Sequence, residues 1–326
     1  MAVYTEVSDE ALRAFLAQYA IGELLAYRGI AEGVENSNYA LKTTQGDFIL
    51  TLYEKRVDPA ELPWFLGLMQ HLAARGLSCP QPVPGRDGVA LRTLEGRPAA
   101  ICTFLPGFWP RRVRPSHCAP LGEALAQLHR AGEGYAPTRR NALGPDSWGP
   151  LLDRCRGDGE SVQPGLIAEL DAALAEILAA WPEPGRLPVG HIHADLFPDN
   201  VFFLEDAGRR PRVSGLIDFY FACTDLYAYD IAVVLNAWCF EPDHSFNVTK
   251  ARAILRAYGG RREIAPAEWQ ALPVLCRGAA MRFLLTRLYD WVNTPPGAMV
   301  TRKDPLEYLH KLRFFRHATH AGAIGG

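Results

Sequence analysis

The chain has 326 residues, so at about 150 residues per domain two domains are expected. Hydrophobic residues make up 48% and charged residues 21%, a globular balance that excludes a disordered, collagen-like or coiled-coil chain. With 34 Lys+Arg against 36 Asp+Glu the net charge is −2, which leaves no basic footprint for nucleic acid as a main partner.

Residues 8–20 carry Leu12, Phe15, Leu16 and Tyr19 at helical spacing behind an acidic start at Ser8, Asp9 and Glu10, and predict an amphipathic helix. Strands are predicted over 24–29, 38–44 and 48–54, the last two split by the turn sequence Gln45-Gly46-Asp47. Helix returns over 59–75, where Leu62, Phe65, Leu66, Met69 and Leu72 share a face and Gly76 is the stop. Prolines 80, 82 and 84 break the pattern, and two more strands are predicted over 89–94 and 98–104. From Leu105-Pro106-Gly107 onward helical spacing dominates, over 119–131, 166–181, 226–240, 248–258 and 267–293. Only 188–219 differs, with two short apolar runs around a polar turn. The expectation is an α+β chain: a sheet-rich part over 1–104 and a larger, mostly helical part over 105–326.

Seven scattered cysteines (79, 102, 118, 155, 223, 239, 276) include no Cys-x-x-Cys pair, which speaks against a disulfide framework or zinc knuckle and for a reducing compartment. The acidic start MAVYTEVSDEAL has no apolar core and predicts no secretory signal. The most apolar runs fall short of the ~20 residues needed to span a bilayer. A cytoplasmic protein with no membrane partner is expected.

The densest polar cluster is His191-Ile192-His193-Ala194-Asp195, followed by Asp199 and Asn200, an apolar run over 201–204, a polar turn, a second run over 213–217, and Asp218. If the two runs pair as an antiparallel hairpin, the residue before the first and the residue after the second stand side by side at its open end. Asn200 and Asp218 are then neighbours. An amide oxygen beside a carboxylate makes a hard-oxygen site suited to Mg²⁺, which keeps waters and shares substrate phosphate. Asp195, just upstream, would face the same metal, and there orient an attacking hydroxyl and accept its proton.

His-x-Asp-x4-Asn with an Asp after a hairpin is a phosphotransferase arrangement. The chain resembles the aminoglycoside phosphotransferase/choline kinase-like branch of the protein-kinase-like fold. The segment from Leu121 to Leu128-His129 resembles that branch's small-residue helix ending in Leu-His. Leu105-Pro106-Gly107 resembles its hinge exit, and the segment from Asp225 to Asp230 its Asp-x4-Asp run. Within the branch, the stretches 35–39, 48–54, 193–200, 217–222, 236–240 and 282–291 resemble the bacterial homoserine kinases. The resemblance implies a two-lobed fold, with a small N-terminal antiparallel sheet lobe and a larger helical C-terminal lobe. It also implies ATP and Mg²⁺ as cofactors, and phosphorylation of the side-chain hydroxyl of L-homoserine, a step toward threonine. Spacing alone does not name the acceptor.

Under this resemblance Asp195 is the catalytic base or the group that aligns the hydroxyl, Asn200 and Asp218 hold Mg²⁺, and His193 shapes the loop. Asp230 either takes backbone amides of that loop or is an exposed acid complementing a helix start. The nucleotide loop spans 29–38, with Gly29 and Gly33 allowing close approach to phosphates and Ser37 and Asn38 offering donors. Adenine would sit against Thr103 to Leu105. The third strand departs from the pattern: Thr51 stands where a phosphate-holding base is expected. Of the five lysines, Lys55 shares Thr51's strand face but lies ~13 Å along, so Lys42 on the neighbouring strand is the favoured substitute. Arg282, interrupting an apolar helix face, is assigned to the substrate's carboxylate in preference to Arg287, an internal salt bridge being the alternative. Tyr220, Asn236 and Trp238 are further pocket candidates.

Three rival readings arise. His191-x-His193-x-Asp195 also opens a zinc metallohydrolase motif, although position 196 is Leu rather than His. Thr51 would suit a catalytically inactive relative. The same chemistry would serve another acceptor, such as choline, an aminoglycoside or a methylthio sugar. A Walker-type loop is excluded, because the sequence contains no Gly-Lys dipeptide.

Overall fold

The computed structural model describes residues 5–30, 36–54, 58–294 and 302–326. The chain divides into two compact units, Met1–Gly107 with Ser214–Tyr220, and Phe108–Val213 with Phe221–Gly326.

In the first unit, helix α1 (Asp9–Leu16) starts where Ser8 accepts the Ala11 N–H, with Asp9 and Glu10 in its first turn. It stops short of the expected residue 20, because Tyr19 leaves the helix to bridge Gly85. Strands β1 (Leu24–Gly29), β2 (Ser37–Thr43) and β3 (Gly46–Leu52) follow, the second hairpin turning at Thr44 and Gln45. Helix α2 (Leu62–Ala74) buries Leu62, Phe65, Leu66, Leu68, Met69 and Leu72, and ends at Gly76 with φ +84°. Strand β4 (Arg92–Leu94) begins later than expected, since Val89 is held in a turn by Asp87. With β5 (Arg97–Thr103) it completes a five-stranded antiparallel sheet in the order β1-β2-β3-β5-β4. Alternate residues Tyr39, Leu41, Leu50 and Leu52 face a core shared with Leu12, Phe15 and Leu16 of α1. Segment 214–220 joins this unit: Leu216 N–H donates to Ser78 O (2.9 Å), and Ser214 Oγ to Pro106 O (2.7 Å). A Cβ on Gly215 would stand 2.6 Å from Leu105 Cδ1, so the missing side chain is the room Leu105 occupies.

The second unit holds helices α3 (Pro115–Gly132), α4 (Pro145–Asp153), α5 (Arg156–Gly159) and α6 (Leu166–Ala180). Then come strands β6 (Val189–Ile192), β7 (Val201–Glu205), β8 (Pro211–Leu216) and β9 (Cys223–Leu226), β8 running from this unit into the first. Helices α7 (Tyr227–Trp238), α8 (Val248–Gly259), α9 (Pro266–Asn293) and α10 (Leu306–His317) complete the chain. β6 pairs antiparallel with β9, and β7 with β8 forms a separate two-stranded ribbon. α7 is buried almost throughout, as an apolar helix packed on several sides must be. Among the described residues no helix is long and apolar enough to cross a membrane.

α3 packs on α8 so closely that a Cβ on Gly122 would stand 2.3 Å from the Ile254 carbonyl oxygen. Backbone cannot yield as a flexible side chain can. Gly122→Ala is therefore expected to destabilise the protein by about 1–3 kcal/mol despite alanine's better helix propensity. A thermal melt checks this, and a raised midpoint would contradict it.

Candidate active site

The loop joining β6 to β7 carries Asp195 at its turn. Ala194 has φ +61°, a left-handed conformation that a non-glycine residue keeps only when its surroundings hold it. The surroundings do. Asp230, in the first turn of α7 and fully buried, accepts the N–H groups of His193 and Ala194, both at 2.8 Å. Arg282 of α9 donates to the Ala194 carbonyl, and Trp238 Nε1 to the Leu196 carbonyl (2.8 Å). Asn200 Nδ2 donates to the Asp195 carbonyl (2.8 Å), and Asp195 N–H to His193 Nδ1 (3.3 Å). The loop's backbone is thus tied group by group. Asp195 keeps a side chain 19% exposed, with Arg282 Nη2 at 3.9 Å from its Oδ1.

Burial alone would raise the Asp230 carboxyl. The hydrogen bond from His129 and the two backbone N–H groups outweigh it and hold the group below the usual carboxylate range. Burial pushes His129 down, so the imidazole is neutral, with Nε2–H donating to Asp230 (3.1 Å) and Nδ1 accepting from the Tyr258 hydroxyl (2.7 Å). Burial likewise pushes Tyr258 up and keeps its proton in place. Arg262 donates to Tyr258 (3.1 Å) and pairs with buried Glu268 (3.0 Å), so α3, α7, α8 and α9 all contribute to the loop's footing. Of the two sequence readings for Asp230, the structure places it on the loop amides and not at an exposed helix start.

For a divalent cation, the donor chemistry fits. Asn200 spends Nδ2 on Asp195 O and, at 3.3 Å, on Asp195 Oδ2, which leaves Oδ1 as the atom that can meet a hard cation. Asp218 lies just after β8 in the first unit, exposed and with φ +63°, a backbone that aspartate tolerates better than most residues. The zinc arrangement does not fit. His191 donates through Nε2 to the Tyr135 carbonyl (2.8 Å), its Nδ1 meets the Thr224 hydroxyl (3.3 Å), and His193 Nδ1 takes the Asp195 N–H.

In the first unit, Gly29 ends β1 opposite Tyr39, and Asn38 stands opposite Thr51, whose hydroxyl donates to Asn38 Oδ1 (2.7 Å). Gly33 and Lys55 lie outside the described residues. Ser37 is buried, its hydroxyl donating to Glu54 (2.8 Å) and accepting from Thr5 N–H (3.1 Å), so it braces the sheet instead of offering an open donor. Lys42 stands opposite Asp47 in the strand register, at the turn end of the hairpin and roughly 13 Å from Asn38 at strand rise. Thr103 exchanges hydrogen bonds with Gln81, and Leu105 leaves the sheet just beyond.

The three substrate candidates make contacts within the protein. Tyr220 donates to the Tyr53 hydroxyl (3.0 Å) and packs edge-on against Tyr53 and Phe65 in the first unit. Asn236 is fully buried and donates to the carbonyls of Ala232 (2.9 Å) and Cys276 (3.0 Å), locking α7 to α9. Arg282 is 2% exposed and directed at the loop, while Arg287 pairs with Glu307 (2.6 Å) and holds α10. Trp238, read as a pocket aromatic, anchors the loop through its indole N–H.

A family model described as the phosphotransferase enzyme family matches residues 26–266. The chain belongs to this family. It is an enzyme that phosphorylates a hydroxyl group, and the expected fold class, an antiparallel sheet followed by a mostly helical remainder, is the one found. The homoserine kinase of Granulibacter bethesdensis is 67% identical over 325 residues, and that of Gluconacetobacter diazotrophicus 69% identical over 325, each alignment covering 100% of both chains. Among solved structures, an aminoglycoside phosphotransferase from Alicyclobacillus acidocaldarius superposes with a TM-score of 0.66 at 15% identity. It covers 98% of this chain and 96% of its own, and it carries the fold alone.

Proposed function

We propose that this phosphotransferase moves the γ-phosphoryl group of ATP to the side-chain hydroxyl of L-homoserine, forming O-phospho-L-homoserine and ADP. Full-length relatives named homoserine kinase support the acceptor. The observation that carries the chemistry is a loop tied group by group at its backbone, with one part-exposed carboxylate, Asp195, at its turn. In this reading Asp195 orients the hydroxyl in line with the γ-phosphorus. It accepts the proton as the new O–P bond forms and the bond to the β-phosphate oxygen breaks. Positioning does most of the work where the transition state is loose. His193 and Asp230 keep the loop in shape. Asn200 Oδ1 and Asp218 would hold Mg²⁺, whose chemistry is to neutralise charge on the transferring phosphates. Gly29, Asn38 and Thr51 serve the nucleotide's phosphates, and the segment Thr103 to Leu105 its base. All seven cysteines are unpaired and buried, which supports a reducing, cytoplasmic setting.

ADP release measured with homoserine, serine, choline, an aminoglycoside and methylthioribose tests the acceptor. Turnover with homoserine well above the rest is expected, and preference for another acceptor would overturn it. For the metal, Asp218→Ala is expected to lose both activity and the saturating response of rate to Mg²⁺. A variant whose Mg²⁺ titration matches wild type would remove Asp218 from the cation.

A further inference from the structure

We propose that Arg282 is a positioning residue for Asp195, holding the catalytic loop from the buried side and leaving the substrate's carboxylate to another group. The proposal rests on the reading of Asp195 as the base. The peptide between Ala194 and Asp195 sets the direction in which the Asp195 side chain leaves the backbone. Its oxygen takes the Arg282 Nη1–H, and its N–H donates to His193 Nδ1 at 3.3 Å. Ala194 itself, at φ +61°, is gripped on both sides: its N–H goes to Asp230 Oδ1 at 2.8 Å and its carbonyl to Arg282. An alanine does not choose the left-handed region unaided, so both grips are needed to keep the turn.

The guanidinium cannot leave that post for a ligand. It is 2% exposed, with its Cζ 4.4 Å from the Phe283 ring centroid and 5.5 Å from that of Phe221. Nη2 reaches to 3.9 Å from Asp195 Oδ1. That separation supplies a compensating charge without engaging the carboxylate in a short hydrogen bond of its own. One planar fork spans a backbone carbonyl and a carboxylate together. A lysine, with a single point of charge, cannot do both.

The test compares Arg282→Ala and Arg282→Lys with Asp195→Asn and the double variants, by steady-state kinetics with homoserine and ATP. Arg282→Ala is expected to lower kcat about 100-fold, the scale of a misplaced reacting group, with both KM values within about threefold of wild type. Arg282→Lys should lose at least about tenfold in kcat, since its charge is kept and its fork is lost. In the Asp195→Asn background, removing Arg282 should cost little more, because the group it positions is already disabled. A raised homoserine KM at near-normal kcat would return Arg282 to the substrate's carboxylate. Fully additive losses would reduce it to a support of the fold. Should Arg282→Ala fail to fold, Arg282→Lys and its double variant with Asp195→Asn decide the question. Near-normal turnover in Asp195→Asn alone would instead overturn the base assignment.

Discussion

Asp195→Ala is expected to lower kcat with homoserine roughly 10²- to 10⁴-fold, the range for losing a general base, while ATP affinity and thermal stability stay near wild type. The separation of activity from stability follows from how the loop is built. Its ties run through the Asp195 backbone: Asn200 Nδ2 lies 2.8 Å from the carbonyl and only 3.3 Å from the carboxylate, and Phe197 N–H donates to the same carbonyl at 2.8 Å. Arg282 Nη2 stands 3.9 Å from the carboxylate, beyond the reach of a short hydrogen bond. Asp195→Asn sharpens the test, because it keeps the shape and removes the proton acceptor. Steady-state ADP release and a thermal melt on the same preparations would decide it. Turnover of either variant within tenfold of wild type would end the assignment of Asp195 as base.

What the sequence could tell, and what it could not, divides along the range of the forces involved. The hairpin of β2 and β3 was legible because strand alternation and the Gln45-Gly46-Asp47 turn are local. α9 was legible because its apolar spacing is sustained. α4 was not: Pro145, Gly149 and Pro150 give it poor helix propensity, and burial of Trp148 against the rest of its unit stabilises it instead. α10 carries Tyr308, Leu309, Leu312 and Phe315 at helical spacing, a signal interrupted by Lys311, which is buried on Glu307 at 2.6 Å. In the candidate site, residue types pointed to a loop with an acid and an amide. The long-range partners did not show. Arg282 and Trp238 read as polar atoms on apolar helices, and nothing local says whether such an atom meets a ligand or a carbonyl 88 positions away, as Arg282 does. Lys42 illustrates a related limit. Alternation gives the face of a strand, but only register shows which end of the hairpin a residue occupies.

Asp230→Ala should be the most damaging single change to the fold of the catalytic unit, at about 3–5 kcal/mol, a large share of the 5–15 kcal/mol that ordinarily separates folded from unfolded. The fully buried carboxylate takes three donors: His193 N–H and Ala194 N–H at 2.8 Å each, and His129 Nε2–H at 3.1 Å. Removing it strands all three away from water, and each orphaned donor costs about 1–3 kcal/mol before water or relaxation recovers some. Asp230→Asn should fall between, since its amide nitrogen would face one of those N–H groups as donor against donor. Activity should fail together with stability, because the turn that holds Ala194 at φ +61° loses its grip on the N–H side. The pH dependence has a definite sign. The folded carboxyl titrates below its ordinary value because the His129 hydrogen bond and the two N–H bonds outweigh its burial. Its stabilisation is therefore complete above the unfolded pKa of about 3.9 and is lost as pH falls through the folded value. The gap in melting midpoint between wild type and Asp230→Asn should accordingly be widest near neutrality and close in strong acid. An Asp230→Ala protein melting with wild type at neutral pH would mean that the loop is held by its remaining ties alone, through Arg282, Trp238 and Asn200.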